Sequence, residues 1–180
     1  MHLAAPFLMW LAIAGPAAAQ ACEASVSGKV GEVIVTQSSK AKPALATWAV
    51  ERREGVGEES DHFARPGLML DFTMAADGAL VPARAMVAIT RYSDPDLGRA
   101  PEMSEVQVRA VAAGAGPIEW RGDDPARGEV ALAKRLREMW PRELVIEVVA
   151  RGEVRASATF DLSVLPEVRG MAGQALVECG

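Results

Sequence analysis

The sequence has few of the side chains that carry metal-dependent or nucleophilic chemistry. It contains two cysteines, Cys22 and Cys179, and two histidines, His2 and His62, among 180 residues. Removal of an N-terminal leader leaves His62 as the one histidine, which is too few for a zinc site of three histidines. Two cysteines that bond to each other supply neither a mixed zinc site nor a Cys-His pair. We therefore predict no catalytic, cofactor-binding or metal-binding residue.

The chain also lacks a Gly-x-Ser-x-Gly motif, which presents the nucleophilic serine in many Ser-His-Asp hydrolases. It has no run of like charges, and its formal net charge is −5 at neutral pH. An acidic chain without a basic cluster argues against nucleic acid as a partner. We expect a partner that is an unidentified protein or a component of the cell envelope.

Apolar runs are short of the roughly 20 residues that a membrane-spanning helix needs. Residues 3–13 are almost all apolar, and Gly15-Pro16 then precedes small residues that fit a signal-peptidase site. We predict a signal peptide over residues 1–19, cut after Ala19, with a cut after Ala21 as the alternative. Residues 20–180 are then a mature chain without a transmembrane segment, periplasmic or secreted.

The two cysteines stand near the two ends of that mature chain. A disulfide between Cys22 and Cys179 accounts for both and fits an oxidising compartment. The alternative is a lipid anchor on Cys22, as in bacterial lipoproteins, which would leave Cys179 as a free thiol. Gln20 fits a lipoprotein signal poorly, because that position usually holds a small or branched residue. We expect the disulfide.

Alternation of apolar and polar residues predicts a mainly β fold. Residues 154–164 alternate strictly, and a run of branched residues over 144–150 precedes them, with Arg151-Gly152 as the turn of a hairpin. A second hairpin has Leu68, Leu70, Phe72 and Met74 on one face and returns over 83–91. Its Asp77-Gly78 pair favours a type I′ turn. Further strands are expected over 26–36 with a bulge at Gly31, over 44–53 and over 103–113.

Two amphipathic helices interrupt the strands. The first is expected over about 125–140, with Asp124 as N-cap, Pro125 at the first helical position and Pro141 as the stop. The second is expected over about 166–177. About seven strands and two packed helices predict an α+β fold, a single antiparallel sandwich or flattened barrel over 20–180. The expected apolar stripes are Leu132, Leu136, Met139 and Trp140 in the first helix, and Val168, Met171, Ala172, Ala175 and Leu176 in the second.

Three short matches to functional motifs have ordinary structural interpretations. Residues 39–42 fit the Ser-x-x-Lys of penicillin-recognising enzymes, but its companion motifs are missing and Pro43 favours a loop. Residues 121–123 spell Arg-Gly-Asp, the tripeptide that integrins bind on mobile loops, and here favour a turn into the first helix. Residues 94–98 resemble a calcium loop without the glutamate at its twelfth position, and favour a turn. Trp48, Trp120 and Trp140 are expected in the core.

The order of elements in the last third of the chain resembles the invasion-associated locus B family. The helix with Leu132 and Leu136, the hairpin turning at Gly152 and the apolar segment from Val164 to Leu176 carry this resemblance. That family comprises small exported proteins of alphaproteobacteria. It implies a non-enzymatic role at the envelope or in host interaction and assigns no site residue. This chain differs from the family in having no cysteine between Cys22 and Cys179.

Two functional hypotheses follow from different classes. The first is a non-enzymatic exported protein that binds an envelope or host partner through a surface patch larger than monomers usually expose. The second is a small carboxylate-based hydrolase of envelope glycans, which would use a pair of acidic side chains such as those of Asp94, Asp96, Asp123 and Asp124. A pocket with converging carboxylates would favour the second.

Overall fold

A computed structural model describes residues 21–39, 42–55, 62–92 and 98–179. Within these ranges the chain forms ten strands, two α-helices and a short 3₁₀ turn over Met103–Glu105. The strands are β1 Cys22–Gly28, β2 Gly31–Gln37, β3 Leu45–Val50, β4 Arg52–Glu54, β5 Gly67–Met74, β6 Leu80–Ala88, β7 Val106–Ala112, β8 Ile118–Arg121, β9 Glu143–Ala150 and β10 Glu153–Asp161. The helices are α1 Pro125–Glu138 and α2 Leu165–Glu178.

The strands form two antiparallel sheets of five strands each. Sheet 1 has the order β1-β2-β3-β5-β6, and sheet 2 has the order β4-β10-β9-β7-β8. The mainly β fold with two packed helices is thus confirmed. The two sheets stay separate across the described residues, which selects the sandwich over the flattened barrel.

The strand count exceeds seven because two of the expected strands are divided and one short strand was missed. The segment 26–36 is a hairpin that turns at Lys29-Val30, and Gly31 ends the turn with φ +113° instead of forming a bulge. The segment 44–53 is interrupted at Glu51, where the chain passes from β3 in sheet 1 to β4 in sheet 2. β8 has only four residues, too few to show alternation.

A type I′ turn occurs at Arg151-Gly152 and not at Asp77-Gly78, where the sequence predicts it. Only Gly78 of the Asp77-Gly78 pair has a positive φ, and the Gly78 N–H donates to the Ala75 carbonyl at 2.8 Å. This geometry is a wider turn that ends in a left-handed glycine, so the type I′ prediction was wrong there. Arg151 and Gly152 have φ values of 55° and 80°, the pair of positive angles that a type I′ turn requires.

Buried residues of both sheets and both helices form one hydrophobic cluster. The predicted inner face of β5 is confirmed from Leu68 to Met74, but Val154 is 42% exposed because a register shift follows it in β10. α1 packs on β6 and β8, and α2 packs on β1 and β2. Asp124 is the N-cap of α1 without a side-chain capping hydrogen bond, and the helix ends at Glu138.

The disulfide joins Cys22, the first residue of β1, to Cys179, the C-cap of α2. The Cα atoms of the two cysteines are 5.5 Å apart. The predicted disulfide is thus confirmed, and it holds the start of the first strand beside the end of the last helix. The bond also occupies the Cys22 sulfur that the lipid-anchor alternative would acylate.

Candidate binding surface

Sheet 1 has an outer face that is rich in apolar and hydroxyl side chains. In β2, β3, β5 and β6 its residues alternate with those that enter the core. Leu45, Met69 and Val81 on this face are 50, 39 and 48% exposed. The outer face of sheet 1 comprises Glu32, Ile34, Thr36, Leu45, Thr47, Ala49, Met69, Asp71, Thr73, Val81, Arg84 and Met86.

The strand register arranges this face in three cross-strand rows. Ala49, Met69 and Met86 adjoin one another across three strands, whereas Thr73 separates Leu45 from Val81. The rows are Thr36, Leu45, Thr73 and Val81; Ile34, Thr47, Asp71 and Arg84; and Glu32, Ala49, Met69 and Met86.

The charges in the middle row compensate each other. The Arg84 Nε donates to Asp71 Oδ2 at 3.1 Å, and the Thr47 hydroxyl donates to Asp71 Oδ1 at 2.8 Å. Both oxygens of the Asp71 carboxylate are thus occupied by neighbours on the same face. The centre of the face consequently offers no uncompensated charge to a partner.

One end of the outer face continues into two adjoining depressions. A depression of about 480 Å³ includes Leu45 and Thr73, and one of about 700 Å³ includes Thr73 and Val81. Both are also lined by Lys42 and Pro43. The apolar surface therefore deepens towards this end, where Lys42 places a cation at its rim.

The outer face of sheet 2 combines cross-strand polar pairs with half-buried valines at positions 111, 145 and 149. Arg109 in β7 forms an ion pair with Glu147 in β9, and Gln107 donates to Glu119 at 2.9 Å. Such cross-strand polar pairs are typical of a face that remains in water. The sheets differ in their exposed apolar side chains, because Leu45, Met69 and Val81 belong to sheet 1 and only Val154 belongs to sheet 2 among the described residues. The outer face of sheet 1 is therefore the candidate binding surface.

Known proteins offer no guide to this surface. Comparisons of the chain with protein-family models, curated proteins and solved structures find no match. Inferences about function therefore depend on the geometry of the described residues.

The Arg-Gly-Asp tripeptide is held in a turn and is not displayed on a loop tip. Arg121 ends β8, and its guanidinium donates to the Asp123 carboxylate through both Nε and Nη2. The Gly122 N–H donates to the Val106 carbonyl at 2.9 Å. The two charged side chains that an integrin would read are thus engaged with each other, in line with the turn interpretation.

Glu105, Glu119, Asp123 and Asp124 line a depression of about 690 Å³ together with Arg121 and Arg127, so acidic side chains do come together in the described part of the chain. The Arg121 guanidinium lowers the pKa of Asp123, whereas a general acid of that class needs a raised pKa. Asp124 is exposed at the start of α1. Asp94 and Asp96, with the calcium-like segment 94–98 except Gly98, lie outside the described residues.

The remaining candidate residues have structural positions. His62 lies in a turn with φ 62°, and its carbonyl accepts the Tyr92 N–H at 2.7 Å. The Lys42 N–H donates to the Ser39 carbonyl at 3.1 Å, so the ends of the Ser-x-x-Lys match form a turn; Lys40 and Ala41 lie outside the described residues. No group of three or more metal-ligating side chains occurs in the part of the chain that the structure describes.

The three tryptophans pack as the sequence predicts. Trp48 and Trp120 are buried, and the Trp48 indole donates to the Val30 carbonyl at 2.8 Å. Trp140 is partly buried against the core, and its indole donates to the Leu162 carbonyl at 2.8 Å. The indole N–H groups of Trp48 and Trp140 are thus satisfied by backbone carbonyls of the fold.

The residues of the candidate surface were not found from the sequence. Leu45, Met69 and Val81 each look like a single exposed apolar residue, which is common on protein surfaces. The alternation in β5 does indicate that Met69 and Thr73 point away from the core, because they lie between its buried residues. Only the pairing of β3, β5 and β6 shows that Leu45, Met69 and Val81 share one face.

Proposed function

We propose that the protein is an exported, non-enzymatic binding protein that contacts an envelope or host component through the outer face of sheet 1. The supporting observation is that Leu45, Met69 and Val81 are all exposed on one open sheet face, whose central Asp71–Arg84 pair compensates its own charge. An apolar face of this kind favours a partner that presents a neutral, apolar surface. The resemblance to the invasion-associated locus B family supports the same class of role.

Export is part of the proposal and has two independent supports. The leader over residues 1–19 fits a signal peptide, and the disulfide fits an oxidising compartment. No helix among the described residues is long and apolar enough to cross a membrane. We infer a periplasmic or secreted protein with its single β-rich domain over 20–180. Intact mass tests the leader and the lipid alternative together, because an acylated Cys22 adds hundreds of daltons.

Binding is tested by co-sedimentation of the disulfide-bonded protein with isolated envelope fractions. A Leu45→Lys, Val81→Lys double variant places two cations on the outer face of sheet 1 and is expected to stay in the supernatant. The matched control is Val130→Lys on α1, where the native valine is 70% exposed and is not one of the residues of the outer face of sheet 1. The proposal fails if the wild type does not sediment, or if the double variant sediments equally.

The glycan-hydrolase alternative has a separate readout. Release of soluble fragments from purified envelope glycan would support it, and an Asp124→Asn variant would then be expected to lose the activity. Absence of release alongside binding by the wild type is the outcome expected for the non-enzymatic role.

A further inference from the structure

The four edge strands of the two sheets differ in how they are protected. An unprotected edge presents unpaired backbone groups to other chains, so proteins shorten, bend or cover their edges. β4 and β8 have three and four residues. β6 contains Pro82 and a register shift, and Arg137 of α1 donates to its Pro82 carbonyl at 3.4 Å.

β1 is the exception among these edges. It has seven residues, all paired with β2 in unbroken register from Cys22↔Gln37 to Gly28↔Gly31. It contains no proline, no lysine and no bulge. Its exposed side chains, Glu23, Ser25 and Ser27, are small or extended and leave room for a neighbouring strand.

The register also fixes which backbone groups face away from β2. Gly28 and Gly31 close a two-residue turn and are therefore a hydrogen-bonded pair, and such pairs alternate along an antiparallel ladder. The N–H and C=O groups of Glu23, Ser25 and Ser27 consequently point to the free edge. Among the described residues, no other strand pairs with this edge.

We propose that β1 pairs antiparallel with β1 of a second copy of this chain, with Val26 opposite Val26 at the twofold axis. In this register Ser25 lies opposite Ser27 of the second copy, and their outward backbone groups form the new ladder. At each end of this ladder Glu23 comes beside Lys29, the first residue of the turn that follows β1 in the second copy, and the symmetry repeats this pair. These two ion pairs provide charge complementarity, which favours a second copy of this chain as the binding partner of the edge.

The fold holds β1 ready for this pairing. The disulfide anchors Cys22 to α2, and the turn at Lys29-Val30 fixes the other end of the strand. A strand that is already ordered loses little conformational entropy on association. Pairing would join both copies of sheet 1 into one ten-stranded sheet. This self-association is distinct from the binding role proposed above, because its hydrogen bonds use the free edge of β1, although Glu23 also lines the smaller depression beside Leu45.

Sedimentation equilibrium of the oxidised protein tests the edge. The wild type is expected to show a reversible monomer–dimer equilibrium. Ser25→Pro removes one outward N–H without removing a hydrogen bond to β2, and is expected to be monomeric. Ser25→Ala is the matched control and is expected to dimerise like the wild type. A wild type that is monomeric throughout, or a dimer that Ser25→Pro leaves intact, overturns the proposal.

Charge exchange tests the register without introducing proline. Glu23→Lys and Lys29→Glu each oppose like charges twice per dimer, so each is expected to raise the dimer dissociation constant about tenfold. The double variant, Glu23→Lys with Lys29→Glu, is expected to restore the wild-type value. Failure of the double variant to recover dimerisation contradicts the Glu23–Lys29 pairing. The same experiment remains decisive if Ser25→Pro does not fold.

Discussion

Gly128 of α1 lies directly against the indole ring of Trp120 in β8. A Cβ atom built on Gly128 would be 2.0 Å from Trp120 Cδ2, which is far inside van der Waals contact. The glycine therefore allows α1 to approach the edge of sheet 2 closely enough to bury the tryptophan. Helix propensity favours alanine at this position, whereas packing against the indole requires glycine.

The first prediction concerns that contact. Gly128→Ala is expected to lower the free energy of unfolding by about 1–2 kcal/mol, because overpacking costs about 1–3 kcal/mol and alanine recovers up to about 1 kcal/mol of helix propensity. Urea unfolding followed by tryptophan fluorescence measures both stability and the environment of Trp120. A variant as stable as the wild type would show that α1 can shift away from β8.

The second prediction supplies the contrast in α2. A Cβ atom on Gly170 would meet no atom within 4 Å, and the residue is exposed. Gly170→Ala is therefore expected to raise the free energy of unfolding by about 0.5–1 kcal/mol through helix propensity alone. The same urea titration applies. Destabilisation would be inconsistent with the helical conformation and open surroundings of this residue.

Elements with long periodic patterns were predictable from the sequence, and short or interrupted elements were not. β5 shows its buried face over eight residues, and α2 over fourteen. β4 and β8 are too short to display a period, and Glu51 gives no sign that the chain changes sheets there. The turn geometries also depend on how the strands pair, because the two positive φ angles of a type I′ turn occur at Arg151-Gly152 and not at Asp77-Gly78.

The third prediction concerns the disulfide, which closes a separation of 157 residues. Replacing both cysteines by serine is expected to lower the free energy of unfolding by about 2–5 kcal/mol, because the unfolded chain gains entropy. The measurement is urea unfolding of the oxidised protein and of the double variant. Each single variant is expected to match the double one, since either substitution removes the bond. Equal stability of wild type and variant would contradict this prediction.

The fourth prediction concerns the pH dependence of stability at Asp161. Hydrogen bonds from Ser163, together with the nearby Arg53 guanidinium, lower the pKa of this carboxyl in the folded protein. A lowered pKa stabilises the fold above the unfolded value of about 3.9, and the contribution disappears as pH falls through the folded value. Asp161→Asn is expected to cost about 1 kcal/mol at neutral pH.

The measurement for Asp161 is urea unfolding of wild type and Asp161→Asn over a pH series. The difference between the two proteins is expected to shrink as the pH falls below about 4, because the wild-type carboxyl becomes neutral. A difference that stays constant down to the lowest accessible pH would show that the carboxylate charge is not the stabilising property.

The candidate binding surface could not be predicted from the sequence, for a specific physical reason. Its apolar residues come from four strands, and each strand contributes only one or two of them. Adjacency depends on register, and a shift by one residue would turn Leu45 or Met69 into the core. The disulfide, by contrast, could be predicted from the sequence, because two cysteines near the ends of the mature chain allow a single pairing.

The crossing at Glu51 means that the two sheets cannot be separated into fragments. The strands of sheet 1 lie between residues 22 and 88, but β4 comes from within that span and pairs with β10 of sheet 2. A fragment that carried all of sheet 1 would keep β4 without its partner, and the complementary fragment would expose the edge of β10. Split-protein designs or gene fusions that divide the chain between the sheets are therefore expected to yield pieces that fold only when recombined.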